Sequence, residues 1–99
     1  MNKKKQYIAI AKACGYTLSG GRVEWWTDKD GVHDEPPDYL NDLNAMHDVE
    51  KTLSRPLWDS YISELHELIG HNHIERYAIS ASAAQRAEAF LRTLNLWEE

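Results

Sequence analysis

A chain of 99 residues, 42% hydrophobic and 27% charged, is sized for one domain around one core, since two domains at this length would each lack an interior. Its one cysteine, Cys14, excludes an internal disulfide framework and leaves any zinc site to histidines and carboxylates, a pattern that suits a reducing cytoplasm. The net charge of −5 comes from sixteen acids against eleven bases; six of the acids and one base lie between Asp28 and Asp42, so this short stretch carries the whole excess, repels phosphate backbones and argues against a nucleic acid duplex as partner.

Lys3, Lys4 and Lys5 followed by an apolar run from Tyr7 to Ala11 have the order of an export signal. Lys12 ends that run too early, and it stands where a lipoprotein signal ahead of Cys14 would need a small or apolar residue. No stretch reaches transmembrane length. The expectation is a cytoplasmic protein without membrane contact.

The first helix is predicted over Lys3 to Cys14, because Tyr7, Ile10, Ala11 and Cys14 recur at i, i+3, i+4 and i+7, and Gly15 is a natural stop. Tyr16 to Ser19 and Arg22 to Thr27 then flank Gly20-Gly21, which reads as a hairpin with a two-residue loop. A second turn at Asp30-Gly31 returns the chain through Val32 as a short third strand. Pro36-Pro37 forces an extended connector, after which Asp38 or Asp42 caps a helix with Leu40, Leu43, Met46, Val49 and Leu53 on its apolar side. Pro56 suits the first turn of the next helix, whose buried stripe is predicted as Trp58, Tyr61, Ile62, Leu65, Leu68 and Ile69, with Gly70 closing it. Ile74 to Ile79 alternates like an edge strand, with a frayed loop as the competing reading. Ser82 and Gln85 have capping-box spacing and open a last helix running to about Asn95, buried through Ala83, Ala87, Phe90, Leu91 and Leu94. The predicted class is α+β: one domain over 1–99, with a small antiparallel sheet (hairpin plus short strand) and helices packed on it.

Two strings extend this reading. PDYLNDLNAMH from Pro37 to His47 and AAQRAEAFLRTLNLWEE from Ala83 to Glu99, together with ACG at Ala13 to Gly15, resemble the small phage proteins of the phage ABA sandwich domain family, in order and over nearly the whole chain. The resemblance implies a three-layer α-β-α sandwich, helices on both faces of the sheet, in a protein encoded by a phage or prophage. It brings no catalytic residues, and the acidic loop and the His71 to His73 stretch match no shared motif.

The chemistry-bearing residues are scattered. His66, His71 and His73 lie near Glu67, but His66 and His71 are five apart with Gly70 between them, whereas a zinc helix presents two histidines four apart. Surface or cap histidines are therefore the reading, with a metal-dependent hydrolase as the rival. Cys14 lies on an apolar stripe, where a thiol is inert packing, and the carboxylates of Asp28 to Asp42 read as a solvated loop rather than an acid/base pair. No metal, cofactor or catalytic residue is assigned.

Adjacent strand residues face opposite ways, so Trp25 and Trp26 cannot enter the same layer. Packing takes precedence for both, because aromatics dominate small cores. An exposed tryptophan would instead be a hot spot for a protein partner or a platform for a base. The leading functional expectation is a non-enzymatic phage accessory protein that interferes with a host process, such as defence, by binding a host protein through Asp28, Asp30, Asp34, Glu35 and Trp26. The alternative is capture of a small nucleotide signal, with Trp25 stacking on the base and Arg22, Arg76, Arg86 or Arg92 meeting phosphate, in a pocket between two copies of a homo-oligomer. A virion structural component is a further alternative.

Overall fold

The computed structural model describes residues 1–69 and 81–99. Helix α1 spans Lys3–Ala13 and starts where the Asn2 side chain accepts a hydrogen bond from the Lys5 amide at 2.8 Å, satisfying one of the orphan donors of the first turn. It stops at Gly15, whose φ of +99° lets the Tyr16 amide turn back to the Ala11 carbonyl at 3.0 Å, a glycine-dependent helix end. The buried face of α1 is Gln6, Ile10 and Ala11, rotated slightly from the predicted stripe, so that Tyr7 and Cys14 are half-buried. The Gln6 amide is accommodated by donating to the Met1 carbonyl at 3.0 Å.

Strand β1, Thr17–Ser19, pairs antiparallel with β2, Trp25–Thr27, with Leu18 opposite Trp26 and Ser19 opposite Trp25. The connection is five residues, 20–24, and Arg22 belongs to it rather than to a strand. A two-residue primed turn of the Asn-Gly kind needs positive φ at both central positions, and here Gly20 adopts it at +107° while Gly21 does not. The chain then turns at Gly31 and returns through an isolated antiparallel bridge between Thr27 and His33, so the short third strand is one residue beyond Val32.

Asp42, rather than Asp38, caps helix α2 (Leu43–Glu50) by accepting from the Asn44 amide at 2.9 Å. Asp38 shapes the turn ahead of it, its carbonyl accepting from the Asp42 amide at 2.9 Å. Helix α3, Arg55–Ile69, carries Pro56 in its first turn, where the missing N–H costs nothing. Helix α4, Ala83–Thr93, opens with the predicted capping box, Ser82 and Gln85 each satisfying the other's amide. The predicted strand over Ile74 to Ile79 and the stop at Gly70 lie outside the described residues.

Helix α4 is the hub of the core, meeting α3, α1 and α2, while the sheet lies against α1. Ala87, Ala89, Phe90 and Leu91 of α4 are buried with Ile10, Met46, Tyr61 and Leu65, and the small alanines let its neighbours approach closely. Leu43 and Trp58, both predicted in the core, are 41% and 39% exposed, and of the stripe predicted for α3 only Tyr61 and Leu65 are buried, with Ile62 and Leu68 packed half-buried against the core. The inward face of α2 is instead Ala45, Met46, Val49 and Glu50. The class is α+β, as the sequence predicts, and no described helix is long and apolar enough to cross a membrane.

Candidate functional site

The turn after β2 is built by its own acid. One carboxylate oxygen of Asp28 accepts from the amides of Asp30 and Val32, both at 2.9 Å, and the Asp28 amide donates to the Val32 carbonyl at 2.8 Å, as Asx turns do. The chain then runs back beside β2, held by the Asp34 amide donating to the Trp26 carbonyl at 3.2 Å. This return places His33, Asp34 and Glu35 opposite Val23, Glu24, Trp25 and Trp26 around an open cleft of about 450 Å³.

The two tryptophans have separate duties. The ring of Trp26 meets Tyr7 edge-on at 6.0 Å and Tyr16 at 6.4 Å, an arrangement that fixes it against the core. Trp25 points the other way and is 45% exposed, beside Val23 at 76%; Val32, in the next turn, is 57% exposed. The Tyr7 hydroxyl donates to the Pro36 carbonyl at 2.8 Å, clamping the acidic connector to α1. Burial, followed by the nearby Glu35 and Asp38 carboxylates, pushes that hydroxyl above the ordinary tyrosine range.

The fold therefore brings together Trp26, Asp34 and Glu35 of the predicted partner-binding set, and adds Trp25 and Glu24. Asp30 lies in the adjoining turn, and Asp28 is committed to holding that turn. The set predicted for nucleotide capture is dispersed. Arg22 is exposed but does not line the cleft, and Arg76 lies outside the described residues. Arg92 pairs with Glu88 at 2.8 Å and covers the Trp97 ring at 4.9 Å. Arg86 is buried, its Nε donating to the Ala81 carbonyl at 3.1 Å and one terminal nitrogen to Glu50 at 3.0 Å.

Of the histidine group, His66 is on α3, while His71 and His73 lie outside the described residues; among the described residues no three potential ligands form a metal-sized cluster. Cys14 is half-buried, and burial raises its thiol above the usual range, which disfavours the reactive thiolate.

A second concavity, absent from the sequence reading, opens where the end of α2 meets the start of α3. It holds about 740 Å³ between His47, Glu50, Lys51, Arg55, Trp58 and Asp59. Glu50 forms its floor, 6% exposed, with Arg86 behind it. The signal was present in the spacing: Glu50 lies four residues after Met46 and three before Leu53, and Arg86 three after Ala83 and four before Phe90, so each charge sits on an apolar stripe. Comparison of the chain with protein-family models, curated proteins and solved structures finds no match, so the phage resemblance is carried by its sequence strings alone and function is argued from the site geometry.

Proposed function

We propose that the chain is a non-enzymatic binding protein whose hairpin face captures a basic segment of a partner protein. The observation that carries this is the exposed Trp25 ring lying on the same cleft as Asp34 and Glu35. An aromatic anchor ringed by one sign of charge is how a protein surface combines affinity with steering. The acids raise the encounter rate with a cationic surface, and the indole with its neighbouring valines supplies the apolar area that holds it. The resemblance to phage proteins supports a bacterial host protein as the partner and interference with a host process, such as defence, as the outcome. Nucleotide capture at Trp25 has less support, because no arginine lines that cleft.

The test separates charge from scaffold. Asp28 is left intact, since its neutralisation would loosen the turn it caps. The D30N/D34N/E35Q chain is expected to keep its thermal transition and to lose affinity for the captured partner by about tenfold or more, equivalent to about 1.4 kcal/mol. Unchanged affinity, measured by surface plasmon resonance on the same partner, would remove the hairpin face from the interaction.

A further inference from the structure

The hydrogen bonds around β2 fix which way the backbone of β1 faces. The Asp34 amide donates to the Trp26 carbonyl and the Asp28 amide to the Val32 carbonyl, so the polar groups of Trp26 and Asp28 point toward the returning chain. Successive residues of an antiparallel ladder alternate in direction. Those of Trp25 and Thr27 therefore point toward β1, onto their register partners Ser19 and Thr17. Leu18, between these two, turns its N–H and C=O to the far edge of the sheet, and among the described residues neither has a hydrogen-bond partner. Such an edge is a template for another strand, and proteins that avoid pairing there place charge or proline on it. The two edges of this sheet differ in that respect. The returning chain carries Asp34, Glu35, Pro36 and Pro37, whereas no charged residue and no proline occurs from Cys14 to Gly21.

We propose that β1 pairs antiparallel with β1 of a second copy of the chain, across a twofold axis at Leu18, so that the two Leu18 residues exchange both N–H···O=C bonds. A second copy fits because the strand complements itself. About that axis the Leu18 donor of one copy meets the acceptor of the other, and Thr17 falls opposite Ser19 of the second copy, so no like charges are brought together. A charged partner strand would find no opposite charge on this edge. The acids do not oppose the pairing. Asp34 and Glu35 of the two copies lie on the outer edges of the joined sheet, five strand spacings or about 24 Å apart, well beyond the screening length of about 8 Å at physiological salt. The axis stands perpendicular to the sheet, so both Trp25 rings emerge on the same face. The pairing does not depend on what the hairpin face captures.

Sedimentation velocity of the full chain from about 10 μM to about 1 mM tests this. A monomer–dimer equilibrium with a sub-millimolar midpoint is expected, since an edge of three residues falls below the roughly 1,200 Å² of a stable interface. The variant T17K/S19K sets two lysine pairs across the axis and is expected to weaken the dimer by about tenfold, although it lowers the net negative charge. The variant T17K/S19E sets two lysine–glutamate pairs instead and is expected to restore it. Both positions lie on the face of the sheet opposite Leu18, so circular dichroism of the two variants is expected to match the parent. Amide exchange followed by NMR should show protection of the Leu18 N–H rising with concentration. The proposal is overturned if the chain stays monomeric at about 1 mM, or if the two variants dimerise equally. Slow exchange of the Leu18 amide at the dilute end would also overturn it, because one chain would then cover its own edge.

Discussion

Replacing Arg86 with methionine is expected to destabilise the fold by about 3 to 5 kcal/mol, the usual cost of stripping one partner from a buried ion pair. The side chains of Arg86 and Glu50 are 8% and 6% exposed and meet at 3.0 Å. Without the guanidinium, Glu50 keeps a buried charge that has lost its ion-pair partner, and the Ala81 carbonyl loses the bond that ties it to α4. Small domains hold about 5 to 15 kcal/mol in all, so this variant should sit close to unfolding at physiological temperature. Urea denaturation provides the measurement, and the double variant Glu50→Leu with Arg86→Met should recover most of the loss, because apolar replacement of both partners removes the desolvation penalty. A loss under about 1 kcal/mol, the value typical of exposed pairs, would mean that water reaches the pair.

Phe90→Ala is expected to cost a similar amount, about 3 to 5 kcal/mol, through lost transfer energy and the cavity left behind. Phe90 is 1% exposed on α4, which meets each of the other three helices among the described residues, so a void there has walls from several elements and cannot be closed by moving one. Truncation of the half-buried Trp97 should cost less although the ring is larger, because its outer side already faces solvent. Chemical denaturation of the two variants side by side measures the difference. An equal or reversed order would place the centre of the core elsewhere.

The helices were legible because their signals are local. Gly15, Pro56 and the Ser82/Gln85 box act within one turn, and apolar recurrence located α1, α3 and α4 without knowledge of their neighbours. The hairpin loop was not legible in the same way. Gly-Gly is compatible with a tight turn, but the loop is shaped by packing: a Cβ on Gly20 would lie 2.1 Å from the Val23 carbonyl oxygen and 2.8 Å from the Trp25 ring. That ring closes over the glycine, a contact that turn propensity does not contain. The sequence likewise located the acids between Asp28 and Asp42 but could not show that Asp28 is consumed by its own turn while Asp34 and Glu35 are carried back to the tryptophans. Glu50 and Arg86 escaped for a different reason. Each is a charge on an apolar stripe, and only the pairing of α2 with α4 shows that they neutralise one another.

The central claim, that this protein works by attachment through its hairpin face, is tested most directly by photocrosslinking from a benzoylphenylalanine placed at position 23 of the full chain in bacterial cells, since Val23 lines the same cleft and is 76% exposed while Trp25 is left intact, with position 97 as the comparison. The account predicts an adduct at position 23 with a protein whose contacting segment is basic, and its loss in the D30N/D34N/E35Q background. Adducts formed at position 97 and not at 23, or an adduct at 23 that survives neutralisation of the acids, would contradict it.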